Sequence, residues 1–157
     1  MIPATSTVLV IHAAATWAMT GLIWFIQLVH YPAYRQVRPG DFASFQLRSP
    51  ARTGMIVGPL MFTEIGTAAW LLWQQPAGVA PGWLWMGAAL IAVCWASTVL
   101  LQVPIHLRLT LKRDDKTVER LIRTNWLRTI AWSIRAVLVA TWLLALLSPP
   151  HSTQLPG

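Results

Sequence analysis

The stretch GWLWMGAALIAVCWASTVLLQVPIHL, residues 82–107, contains no Asp, Glu, Lys or Arg. An α-helix rises 1.5 Å per residue, so about 20 mainly apolar residues carry it across the hydrocarbon core of a bilayer. A run this long and this free of charge reads as a membrane span. Within a membrane each backbone N–H and C=O must find its partner inside the segment, which leaves the helix as its form. Working outward, three more segments meet the same criterion, at 5–34, 54–73 and 118–147. The expected fold is all-α, a four-transmembrane-helix bundle forming a single domain over 1–157, with 148–157 as a disordered polar tail. Composition agrees: 55% of residues are hydrophobic and 11% charged, against about 25% charged in soluble domains. Cys94 is the sole cysteine, which excludes an intrachain disulfide and a cysteine-rich metal centre.

The first span is not read as a cleaved signal. No basic residue precedes it, and its apolar run continues past Ala13-Ala14-Ala15, so it is taken as a retained helix.

The net charge of +7 comes from 12 Lys and Arg confined to two windows, 35–52 and 108–135. A nucleic-acid-binding chain would gather such charge into a groove or tail, whereas here it alternates with the spans. Loop asymmetry of this kind sets membrane orientation, basic loops staying on the cytoplasmic side. The first and third connections are therefore expected in the cytoplasm of a bacterial inner membrane, with both termini and the uncharged connection 74–82 outside. Trp70, Trp73, Trp83, Trp85 and Trp142 fall near that outer side and read as an interfacial belt. Pro39-Gly40 breaks the first connection, and Asp41 is expected to cap a short helix on the inner membrane surface. Asp114-Asp115 are expected to cap the fourth helix. Gly54 and Gly58 have the spacing of close helix packing, Pro59 and Pro104 of kinks, and Cys94 is read as a packing residue.

The two halves echo each other. The first span ends Gln27-Leu28-Val29-His30-Tyr31-Pro32, and the third ends Gln102-Val103-Pro104-Ile105-His106. Arg52-Thr53 and Arg123-Thr124 open the second and fourth spans at matching positions. Two pseudo-repeated helical hairpins would produce this pattern.

Polar residues recur at helical spacing. Thr20, Trp24, Gln27 and His30 share a face of the first span, Trp95, Thr98, Gln102 and His106 of the third, and Asn125, Arg128, Trp132 and Arg135 of the fourth. The second span supplies Glu64. An ionisable group inside a membrane is a functional-site hypothesis by default. The simplest arrangement turns these faces inward around a polar cavity in the cytoplasmic half. Glu64 and Arg135 each lie twelve residues beyond an Arg of a basic window, about 18 Å of rise, so they are expected to meet near the membrane centre.

Three readings compete for these residues. In the first they only tie helices together, and the chain is a structural or accessory subunit. In the second His30, Glu64 and His106 hold iron as a two-histidine, one-carboxylate set, or the two histidines ligate a haem. In the third a cofactor-free site takes a lipophilic or aromatic small molecule. His30 or His106 is then the base and Arg128 stabilises an oxyanion, with Gln27, Glu64, Gln102, Asn125 and Arg135 lining the site. The lipid bilayer is the expected partner, and association into an oligomer or with a partner subunit stays open.

The segments Gln102-Val103-Pro104-Ile105-His106-Leu107-Arg108-Leu109 and Asn125-Trp126-Leu127-Arg128-Thr129-Ile130-Ala131-Trp132-Ser133-Ile134-Arg135 resemble a group of small uncharacterised bacterial four-helix integral membrane proteins. More distantly, they are similar to the anthrone-oxygenase-like family. The resemblance covers mainly the second half and rests on Pro104, His106, Asn125 and Arg128. It implies the four-span fold and oxidation of a polycyclic aromatic by molecular oxygen. His106 stands where that family commonly has Asn. The resulting expectation is an oxidoreductase-like membrane protein acting on a lipophilic or aromatic compound.

Overall fold

The computed structural model of the chain describes residues 4–147. The tail 148–157, read above as disordered, lies outside them. The described residues form four long helices and no strand: α1 (Ala4–Gln36), α2 (Pro39–Gln74), α3 (Pro81–Leu111) and α4 (Asp115–Leu147). Each is long and apolar enough to cross a bilayer, which makes this a multi-pass membrane protein. Short connections at 37–38, 75–80 and 112–114 make consecutive helices antiparallel neighbours. α1 packs on α2 and α4, and α3 packs on the same two. The bundle is therefore a closed ring, in which α2 and α4 face each other across a diagonal.

Two prolines shape the interior. Pro32 and Pro104 lack an N–H, and their rings push against the carbonyls of Leu28 and Leu100 one turn earlier. In both places the preceding helix widens into a five-residue π turn. Tyr31 N–H bonds to Ile26 O, and Val103 N–H bonds to Thr98 O. Gln27 and Gln102 sit in these wide turns and are each 2% exposed. The echo between the first and third exits thus has a backbone counterpart.

The helix ends follow from local chemistry. Asp114 caps α4: its carboxylate accepts from Thr117 N–H at 3.0 Å and from the Thr117 hydroxyl. At the start of α2, Pro39 occupies the first turn after Arg38, and Asp41 lies in that turn, where a negative charge meets the helix dipole.

Several expectations need correction. α2 is one helix from Pro39, with Pro50 and Pro59 inside it; it is not a surface helix followed by a span at 54. Trp142 is buried (4% exposed) and stacks on His12, so it is no part of a belt, whereas Trp70, Trp73, Trp83 and Trp85 are exposed. The close approach of helices is not at Gly54 and Gly58, where an added Cβ would meet nothing within 4 Å. It is at Gly87, where a Cβ would come within 2.6 Å of the Trp142 ring. Cys94 is buried, as a packing residue is.

Candidate functional site

The polar faces do not form one site. They form a closed centre toward the neutral end of the bundle and a cavity toward the basic end.

The closed centre is built on Glu64 of α2. Its carboxylate accepts from Arg135 at 2.9 Å, the Thr16 hydroxyl at 2.8 Å and the Trp132 indole at 2.8 Å. Arg135 also donates to the Gly87 carbonyl at 2.7 Å and to the Thr16 hydroxyl at 3.2 Å. His12 completes the group, with Nδ1 2.7 Å from the Thr67 hydroxyl and Nε2 3.4 Å from Arg135. Glu64 and Arg135 are 2% and 1% exposed. The adjacent void is only about 10 Å³, about the least that admits one water. With charge matched to charge and no room for a ligand, this centre joins helices rather than doing chemistry.

The second site is a cavity of about 370 Å³ between α2 and α3, with α1 and α4 behind it. That falls in the range of small-molecule pockets, roughly 300–1,000 Å³. Leu47, Val103 and Leu107 line it and are exposed, so it opens through an apolar rim toward the lipid-facing surface. Its polar lining includes Tyr31, Gln46, Thr98, Gln102, His106 and Arg128.

Arg128 is 5% exposed. Its Nε and one terminal nitrogen donate to Asn125 Oδ1 at 2.9 and 2.7 Å, and the other donates to the Thr98 hydroxyl at 3.1 Å. Among the described residues no carboxylate pairs with it; the ion pairs are Arg35–Glu119, Arg113–Asp115 and Arg135–Glu64. Asn125 is itself held by Gln27, whose Oε1 accepts from Asn125 Nδ2 at 2.8 Å.

A directed chain of hydrogen bonds runs through the same lining. Gln46 Nε2 donates to the His106 carbonyl oxygen at 2.9 Å and faces His106 Nδ1 at 3.1 Å. Nδ1 is therefore the acceptor, and the ring proton sits on Nε2. His106 Nε2–H then meets Tyr31 Oη at 3.2 Å, and Tyr31 donates to Gln102 Oε1 at 3.3 Å. Gln102 Nε2 donates to the Thr124 hydroxyl at 3.0 Å. Both nitrogens of His106 are thus engaged by protein groups, so it orients Tyr31 and Gln46.

Compared with known proteins, the chain matches no family model, no curated protein and no solved structure.

Of the residues singled out in the sequence, His106, Gln102 and Arg128 line the cavity, and Gln27 and Asn125 stand behind it. Glu64 and Arg135 belong to the closed centre. His30 lines a neighbouring indentation with Arg48 and Arg52, its Nε2 3.2 Å from the Ser49 hydroxyl. The ligand set His30, Glu64 and His106 is not brought together. No three His, Cys, Asp or Glu side chains among the described residues are grouped to share a metal. A haem held by His30 and His106 finds Tyr31 and Tyr34 packed against both imidazoles, with ring centroids 5.7–6.2 Å apart. Sequence reasoning missed Tyr31, Gln46 and His12. His12 was legible, because it precedes Thr16 and Thr20 at intervals of four. Gln46 was not, because its position depends on α2 continuing unbroken through Pro50.

Proposed function

We propose that this protein binds a lipophilic small molecule carrying an anionic oxygen, in the half of the bundle that lies toward the cytoplasm of a bacterial plasma membrane. The orientation rests on the positive-inside rule, since 35–52 and 108–135 hold every Lys and Arg.

The observation that carries the reading is Arg128. A buried guanidinium in a membrane bundle is costly unless its charge is met. The same chain meets Arg135 with Glu64 and leaves Arg128 with neutral oxygens on the wall of a cavity. A carboxylate, phenolate or enolate of a ligand supplies the missing charge. The apolar rim admits a ligand that partitions into lipid. Arg128 stabilises an oxyanion formed or bound there, which is the electrostatic requirement of enolate and phenolate chemistry. The resemblance around Gln102–Leu109 and Asn125–Arg135 extends this to oxidation of an aromatic compound, an oxidoreductase-like role.

The test is binding of 2-naphthoate to protein in mild detergent, followed by calorimetry against Arg128→Met. Saturable one-site binding that Arg128→Met weakens about tenfold or more and the surface variant Asp114→Asn retains is the expected result. Equal uptake by all three proteins, as for detergent partitioning, would overturn the reading.

A further inference from the structure

At the basic end of the bundle a second indentation, of about 610 Å³, is shared by α1 and α2. His30 of α1 and Asp41, Arg48 and Arg52 of α2 are in its lining. Arg48 and Arg52 stand one helical turn apart and are both exposed. Neither is in an ion pair among the described residues; Arg35, Arg113 and Arg135 are the arginines that pair. The other basic indentation differs. Lys116, Arg120 and Arg123 line it together with two carboxylates, Asp115 and Glu119. Beside Arg48 and Arg52 the one carboxylate in the lining is Asp41. It precedes Arg48 by seven residues, about 10 Å of rise farther from the membrane centre.

Depth places the two guanidinium groups at the lipid headgroups. Trp70 and Trp73 are exposed near the far end of α2, and an exposed indole of a spanning helix sits at the membrane interface. Arg52 lies 21 residues before Trp73. That is about 31 Å of rise, against roughly 30 Å of hydrocarbon. Arg48 is one turn farther out, about 6 Å. The pair therefore spans the layer in which lipid phosphates lie. Deeper in the membrane the same face of α2 turns apolar. Ile56 follows Arg52 by four residues and Met55 follows Arg48 by seven, and they are 58% and 76% exposed. A phosphate held by the arginines leaves acyl chains against Met55 and Ile56. A free phosphate ion would use only the charged half of this surface.

We propose that this indentation binds an anionic phospholipid of the leaflet at the basic end, with Arg48 and Arg52 holding the phosphate and Met55 and Ile56 meeting the chains. Guanidinium forks match phosphate oxygens, and each basic side chain near a membrane surface adds attraction for anionic lipid. The site does not involve Arg128, which lines only the other cavity.

The test is native mass spectrometry of the full chain in detergent, titrated with dioleoylphosphatidylglycerol or dioleoylphosphatidylcholine. The two share chains and a phosphate and differ in net charge. The first phosphatidylglycerol is expected to bind about tenfold or more tightly than phosphatidylcholine. The double variant Arg48→Gln, Arg52→Gln is expected to remove that preference. Arg120→Gln, Arg123→Gln loses the same charge at the other indentation and is expected to keep it. Glycerophosphoglycerol, the same headgroup without chains, is expected not to displace the lipid. If the first double variant does not fold, phenylglyoxal modification of the wild-type protein in nanodiscs reads the same contact. Arg48 and Arg52 are then expected to react more slowly, relative to Arg120, in phosphatidylglycerol than in phosphatidylcholine. No preference between the lipids, equal loss in both double variants, or unchanged modification overturns the site. Displacement by the chainless headgroup would make the ligand a soluble phosphate ester and overturn the lipid assignment.

Discussion

Glu64 and Arg135 meet at 2.9 Å across the diagonal that separates α2 from α4. The pair does more than cancel charge. Trp132 of α4 and Thr16 of α1 donate to the same carboxylate, so three helices converge on one side chain. Glu64→Leu leaves Arg135 buried and uncompensated, and it is expected to cost about 3–5 kcal/mol. The double variant Glu64→Leu, Arg135→Leu removes both charges and is expected to recover much of that loss. Unfolding midpoints of the two single variants and the double variant in detergent give the coupling directly. Additive losses would mean that the two groups do not act as a pair.

Gly87 of α3 packs directly against α4. Its carbonyl accepts from Arg135, and the Trp142 ring lies over the position a Cβ would take. Gly87→Ala forces the ring or the helix aside, an overpacking change expected to destabilise by about 1–3 kcal/mol. Gly54→Ala, with open space around it, is the contrast and is expected to be neutral or slightly stabilising. Thermal unfolding of both variants decides between the two glycines.

The spans and the meeting of Glu64 with Arg135 were legible because helical rise is fixed and hydrophobicity marks the bilayer. The composition of the cavity was not, for an identifiable reason. A π turn inserts one residue into a helix and rotates everything beyond it. In α1 the turn at Ile26–His30 falls inside the stripe Thr20, Trp24, Gln27, His30. The register read from the sequence therefore fails at its last member. Tyr31 is brought into the cavity, and His30 moves to the indentation beside Arg48 and Arg52. Periodicity also names a face without naming its neighbour. Trp142 was assigned to the membrane interface, although it covers His12.

The polarity of the His106 chain gives a spectroscopic prediction. With Gln46 donating to Nδ1, the ring proton resides on Nε2. Nitrogen chemical shifts of ¹⁵N-histidine protein, assigned through His106→Asn, are expected to show a protonated Nε2 and an unprotonated Nδ1. The opposite tautomer would mean that Gln46 does not hold its amide as described.

Asp114 gives a pH dependence outside the spans. The Thr117 hydroxyl and backbone bonds hold its carboxyl below the usual aspartate value. A carboxyl depressed in the folded state contributes stability above its unfolded pKa and loses it as pH falls through the folded pKa. The difference in melting temperature between wild type and Asp114→Ala is therefore expected to be full at neutral pH and to shrink in acid, below the ordinary aspartate range. A difference that stays constant down to pH 2 would show that the cap does not act through its ionised form.

Arg128 separates stability from function. Replacing Glu64 strands a charge, whereas Arg128→Met removes one that no carboxylate balances. What is lost is hydrogen bonding to Asn125 and Thr98, and Asn125 keeps its bond to Gln27. The cost is expected to be about 1–3 kcal/mol, below that of Glu64→Leu. Binding of 2-naphthoate, by contrast, is expected to fall at least tenfold, since the charge that selects the anion is gone. Arg128→Lys keeps the charge but not the fork to Asn125. It is expected to bind more weakly than wild type and more tightly than Arg128→Met. If Arg128→Met instead proves as destabilising as Glu64→Leu and binds the probe normally, Arg128 is a structural group and the anion lies elsewhere.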